Sequence, residues 1–162
     1  MLRSMTSIYI LRDDEILLLY RMGSRVIEPS WVGIGGHFEP EEVNDPKACV
    51  LRELKEETGL TMSNIENMEL RYVSMRHTGK EIRQNFYFFA QLKGDLPENL
   101  VCSEGHLTWK KLSELPDLSM PVTAKSCMNH YLAQGRFDHL VYGAMHNAEQ
   151  KPVIIPLTKE ET

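Results

Sequence analysis

Three glutamates, Glu53, Glu56 and Glu57, crowd into the stretch RELKEETGL at residues 52–60. On a helix, residues three and four apart are neighbours, so these carboxylates stand side by side. Like charges at that spacing cost about 0.2–0.5 kcal/mol per pair. Gly59 reads as a helix stop, which puts the cluster in the last turn, where the helix dipole is negative and a carboxylate loses about 0.3–1 kcal/mol more. A divalent cation reverses the sign of each of these penalties, and hard oxygen donors suit Mg²⁺, with Mn²⁺ the alternative. The plain reading of such a cluster is a solvated helix face, with Arg52 placed at i+4 to screen Glu56.

The elements around the cluster follow from pattern. Residues 46–58 read as a helix, with Asp45 at the N-cap, Pro46 at the first helical position and Gly59 beyond the last. Val50, Leu51, Leu54 and Thr58 share its core face. TSIYIL and EILLLY, split by Arg12-Asp13-Asp14, predict a hairpin. The glycine-rich loop WVGIGGHFEPEEVNDP leads from there to the helix. Strands are expected at about 69–77 and 84–92, around the polar turn HTGKEIR, with a further short strand in HLTWKKL. A second helix is expected from near Pro121 to near Gly135. FDHLVYGAM and PVIIPL predict a closing hairpin. Phe86, Tyr87, Phe88 and Phe89 alternate across a strand, one face toward the core and the other free to stack on a base. Strands and helices mix without a regular βαβ rhythm, which predicts an α/β or α+β domain with a mixed sheet.

Composition narrows the function classes. The chain has 162 residues, 42% of them hydrophobic and 25% charged, which predicts a single globular domain over 1–162 with a real core. A formal net charge of −5 argues against a surface that wraps a nucleic-acid polymer. Cys49, Cys102 and Cys127 form neither a metal-ligand spacing nor a disulfide framework, and suit a reducing compartment as packing residues. The first residues carry no signal-peptide pattern, and no apolar run reaches membrane-spanning length. These features predict a cytoplasmic protein without a membrane partner.

GGHFEPEEVNDPKACVLRELKEETGL resembles the Nudix box, Gx5Ex7REUxEExGU with U aliphatic. Arg52, Glu53, Leu54, Glu56, Glu57, Gly59 and Leu60 match its second half without a gap. Five residues separate Gly36 from Glu42, as the pattern asks, but nine rather than seven separate Glu42 from Arg52. The departure reads as a two-residue insertion before the helix, and Glu39 or Glu41 compete with Glu42 for its place. The resemblance implies a Nudix α/β/α sandwich, a mixed β-sheet between helices. It also implies cleavage of a phosphoanhydride in a small nucleotide substrate. Glu53, Glu56 and Glu57 are then metal ligands, with the Gly36 carbonyl a further one, and Arg52 orients the glutamates. Glu104, five residues before Trp109, matches an acidic residue that binds metal or acts as a base in some members; its plain reading is a loop carboxylate.

Substrate contacts are expected before the box. WVGIGG resembles a WNGFGG segment of the family's MutT-like, oxidised-purine triphosphatase branch, which implicates Trp31, Val32 and Gly35, with Arg25 as a cationic contact. Arg21, Lys80 and Arg83 are further candidate cations, and His37 adjoins the metal loop. Val32 replaces the asparagine that reads the base there, so purine specificity does not carry over. The leading expectation is a Mg²⁺-dependent hydrolase turning a nucleoside triphosphate, oxidised or not, into monophosphate and pyrophosphate. The alternatives are a Nudix hydrolase of a nucleotide sugar or dinucleotide polyphosphate, a silent nucleotide sensor, or an acidic helix that binds a partner protein. Many relatives pair, so a homodimer is compatible with the resemblance, and no sequence feature decides it.

Overall fold

The computed structural model describes residues 1–23 and 28–160. Eight strands of the described residues form one mixed sheet: β1 Leu2–Arg12, β2 Glu15–Arg21, β3 Ser30–Val32, β4 Ile65–His77, β5 Ile82–Leu92, β6 His106–Lys111, β7 Tyr142–His146 and β8 Pro152–Pro156. The order is β3-β2-β1-β5-β4-β7-β8, with β6 on the other edge of β2. β1 runs parallel to β5, and β4 parallel to β7; the remaining ladders are antiparallel. Helices α1, Pro46–Thr58, and α2, Val122–Ala133, cover opposite faces, giving an α/β/α sandwich.

Period-two alternation sorts the core. Ile8, Ile10, Leu17, Phe88 and Ala90 pack with Val50 and Leu54 of α1. Tyr9, Leu11, Ile16, Leu18, Tyr87 and Phe89 pack with Cys127, Met128 and Tyr131 of α2. Both faces of the run 87–90 are therefore core. A sheet covered on both sides buries both sets of side chains, so no face of the run is free in solvent, while Tyr87 lines a cavity on the α2 side. Phe86, half-buried, packs on Phe38 with ring centroids 5.5 Å apart.

The expected helix bounds hold closely. Asp45 accepts from the Ala48 N–H at 3.0 Å, and Gly59, at φ +78°, donates to the Lys55 carbonyl at 2.8 Å. The strands run longer than expected at the start of β1 and β4. β4 continues through irregularities near Asn67, whose φ of +52° an asparagine tolerates. β7 is shorter than FDHLVYGAM, since Gly135–Phe137 forms a 3₁₀ turn. β3 lies partly within the expected glycine-rich loop, because three residues carry too little periodicity to mark a strand. At the β8 edge, the Leu157 N–H bonds to Val141, so by alternation residues 152, 154 and 156 face outward, and two of these are prolines. An edge lacking those donors is a poor template for another strand. Among the described residues no helix is long and apolar enough to cross a membrane. The three cysteines are buried free thiols.

Candidate active site

The loop after β3 runs back along β1. Thr6 N–H donates to the Gly36 carbonyl at 2.9 Å, and Ile8 exchanges backbone bonds with Ile34 at 2.7 and 3.2 Å. Backbone groups alternate in such a pairing, so the N–H and C=O of Gly35 point away from β1 while those of Gly36 point into it. A Cβ at Gly35 would overlap the Thr6 carbonyl, and one at Gly36 would lie 2.5 Å from the Glu53 carboxylate. Glycine is what lets this loop lie between sheet and helix.

Arg52 organises the helix end. Its Nε donates to Glu42 Oε1 at 2.6 Å and its Nη2 to Glu42 Oε2 at 3.0 Å, a two-pronged pair. Nη1 donates to Glu53 at 3.0 Å and to Glu56 at 2.9 Å, and Nη2 also reaches the His37 carbonyl at 3.0 Å. Glu42 is 8% exposed and also accepts from the Glu39 N–H at 3.0 Å. The Arg52 hydrogen bond holds its carboxyl at about 2, against the cost of burial. The two extra residues before α1 are absorbed after the turn Pro40–Glu42, leaving Glu42 facing Arg52. Neither Glu39, 3.8 Å from Arg52, nor Glu41 takes this place.

Glu57 differs from its neighbours. It is half-buried, and its Oε2 is buried with no hydrogen-bond partner among the described residues. Burial first, then the charges of Glu53 and Glu104, push its carboxyl up to about 7, opposed by Arg21 and the Gly35 backbone. Glu104 lies across from it, bonded to Arg21 Nη2 at 3.2 Å, and the Ser103 N–H ties that loop to the Glu57 carbonyl at 3.2 Å. Among the described residues no three acidic, thiol or imidazole side chains converge closely enough to hold a metal as they stand, since Arg52 draws Glu53 and Glu56 to itself. The His37 imidazole, beside this cluster, is held below its ordinary value by burial and by Arg3.

A cavity of about 350 Å³ lies on the α2 side of the sheet and meets the acidic cluster through Gly35, beside Glu57, and Arg21, bonded to Glu104. Gly35, Val32 and Arg21 line it, which brings two of the expected substrate residues to one place. Trp31 is not among its lining. Its ring packs on Tyr20, centroids 4.8 Å apart, with Lys110 Nζ 4.8 Å above it. Arg25 lies outside the described residues. Arg76, which also lines the cavity, was missed from the sequence. Its signal was the alternation Tyr72, Ser74, Arg76 on β4, which puts it on the face of Tyr87 and Asn85.

The comparisons with known proteins agree with this geometry. The NUDIX domain family model matches residues 1–131. A mutator MutT protein from Bacillus halodurans is similar over 98% of this chain and 99% of its own, at 25% identity and a TM-score of 0.67. A MutT protein from Methanosarcina mazei Go1 aligns over 82% of this chain and 94% of its own, at 21% identity and a TM-score of 0.64. A NUDIX hydrolase from Nitrosomonas europaea aligns over 83% and 91%, at 18% identity and a TM-score of 0.65. The chain belongs to the Nudix domain family, and its class is that of the Nudix pyrophosphohydrolases.

Proposed function

We propose that this chain hydrolyses a phosphoanhydride bond of a nucleoside triphosphate, releasing monophosphate and pyrophosphate with the help of a divalent cation. The observation that carries the reading is the orphaned Glu57 Oε2, buried beside Glu53 and Glu104 and next to Gly35 of the cavity wall. A buried carboxylate oxygen without a donor is costly unless a cation accepts it. The MutT likeness over nearly the whole chain supports the triphosphate as substrate class.

The donor set fits Mg²⁺, with Mn²⁺ the alternative: all-oxygen, anionic and at one helix end. Glu53, Glu56 and Glu57 would hold the ion, with the Gly35 carbonyl, since the Gly36 carbonyl expected in that place points into β1 and accepts from the Thr6 N–H. When bound, such an ion withdraws charge from phosphate oxygens and lowers the pKa of water. Arg52 keeps Glu53 and Glu56 at the helix end beside Glu57, itself fixed by Glu42, and both carboxylates would turn from it to reach the ion. Glu104 adds a further carboxylate across from Glu57, and Arg21 holds it there. The cavity, with Val32 in its wall, receives the remainder of the nucleotide.

The test is pyrophosphate and phosphate release over common and 8-oxo-purine triphosphates, a nucleotide sugar and a diadenosine polyphosphate. It is run with Mg²⁺, with chelator, and with Glu57→Gln. The expected result is metal-dependent pyrophosphate release from a triphosphate that falls about 10²-fold or more in Glu57→Gln. Turnover that survives both chelator and Glu57→Gln would overturn the reading.

A further inference from the structure

The cavity does not end at the loop glycines. It runs along the α2 face of the sheet to two guanidiniums, Arg76 on β4 and Arg83 on β5, which are direct cross-strand partners. Like charges placed opposite each other in a ladder are unfavourable. Arg83 is compensated, since its Nε donates to Glu81 Oε1 at 2.7 Å. Arg76 is not. Its Nη1 donates to the neutral Gln150 Oε1 at 3.2 Å, the charge facing it is that of Arg83, and among the described residues no carboxylate pairs with it. It is half-buried, so water screens it incompletely. Gln150 fixes the guanidinium without neutralising it.

A guanidinium remains charged at neutral pH, and its planar fork matches the oxygens of a phosphate. Asn85 and Ser7, in the same lining, add neutral hydrogen-bonding groups. A neutral base would supply acceptors here but leave both cations uncompensated; a phosphate supplies acceptors and charge together. The volume is large enough for a small organic group as well as its phosphate.

We propose that this end of the cavity is a phosphate subsite with Arg76 as its principal ligand, so that the substrate carries a phosphate away from the cleaved bond. The inference rests on the carboxylate cluster being the hydrolytic centre. Two sources supply the same chemistry: a phosphate on the sugar, or the far end of the polyphosphate chain itself.

The experiment compares kcat and KM of wild type, Arg76→Gln and Arg76→Lys with Mg²⁺. The substrates are a nucleoside 5′-diphosphate, its 5′-triphosphate and its 3′-phosphorylated 5′-diphosphate. In parallel, inorganic phosphate is titrated calorimetrically into each protein in chelator, after thermal melts establish that the variants fold. We expect at least a tenfold lower KM for one phosphate-bearing compound over the plain diphosphate. Arg76→Gln erases that preference through KM, Arg76→Lys keeps part of it, and phosphate binding in chelator weakens about tenfold in Arg76→Gln. A preference for the 3′-phosphorylated compound places the phosphate on the sugar, and one for the triphosphate places it at the chain end; either supports the subsite. If all three substrates turn over and Arg76→Gln changes each KM less than threefold, the subsite is wrong and the hydrolytic reading stands. If nothing turns over, the hydrolytic reading fails and the phosphate titration decides: lost binding in Arg76→Gln sustains the subsite, and equal binding overturns it.

Discussion

Replacing Glu42 with glutamine tests the pair that anchors the site. The carboxylate accepts two hydrogen bonds from Arg52 and one from the Glu39 N–H. Glutamine keeps one acceptor and turns an amide toward the guanidinium. Holding the Glu42 carboxyl at about 2 rather than 4.5 is worth at most about 3.4 kcal/mol. The side chains of Arg52 and Glu42 are 21% and 10% exposed, and Arg52 keeps Glu53 and Glu56, so solvent and the other partners reduce this. A loss of about 1–3 kcal/mol at pH 7 is expected, which lowers Tm by about 3–10 °C for a chain of this size. The folded-state pKa lies below the unfolded one, so the contribution is fully present above the ordinary glutamate value and disappears as pH falls toward 2. About half is gone midway, near pH 3.3. Urea melts of both proteins from pH 7 to pH 3 measure the gap. A gap that stays constant across that range, or a variant as stable as wild type at pH 7, would refute the pair as a charged anchor.

Two further substitutions probe the frame. Gly35→Ala places a methyl against the Thr6 carbonyl and must push the loop off β1. It is expected to cost about 1–3 kcal/mol and about 10²-fold in kcat/KM, read by melts and steady-state kinetics; unchanged kinetics would mean the loop position is irrelevant to turnover. Leu54→Ala removes a fully buried side chain of α1 and should lower the urea midpoint by an amount equivalent to about 2–5 kcal/mol at constant slope, whereas a loss below about 1 kcal/mol would show that α1 is not seated on the core described.

What the sequence discloses depends on how local the physics is. The bounds of α1 are legible because Asp45, Pro46 and Gly59 act within a turn of their own positions. The closeness of Glu53, Glu56 and Glu57 is legible for the same reason. The partner of Arg52 is not, because Glu42 lies ten residues away across a loop with two extra residues, and only the turn at Pro40–Glu42 brings it back. The path of Gly35 and Gly36 depends on pairing with β1, which lies far away in sequence. The juxtaposition of Arg76 with Arg83 requires the β4–β5 register, and irregularities in β4 hide that register from any count of residues.

The charge distribution joins these pieces. Around Arg52 and Arg21 stand Glu39, Glu42, Glu53, Glu56, Glu57 and Glu104. Glu39 and Glu56 are exposed and screened by water, and Glu42 is neutralised by Arg52, but Glu57 has neither remedy. Burial, with the charges of Glu53 and Glu104, shifts its carboxyl toward the proton, and Arg21 offsets this only in part. In the wall of the adjoining cavity Arg76 has the opposite deficit, a positive charge facing Arg83 and held, among the described residues, by the Gln150 amide. A polyanion alone would worsen the first deficit and relieve the second. A polyanion arriving with a divalent cation relieves both. Two unbalanced charges of opposite sign, one beside the loop glycines and one in the cavity wall, are what the proposed ligand would answer, with metal-bound phosphates at the helix end and a second negative group at the far wall.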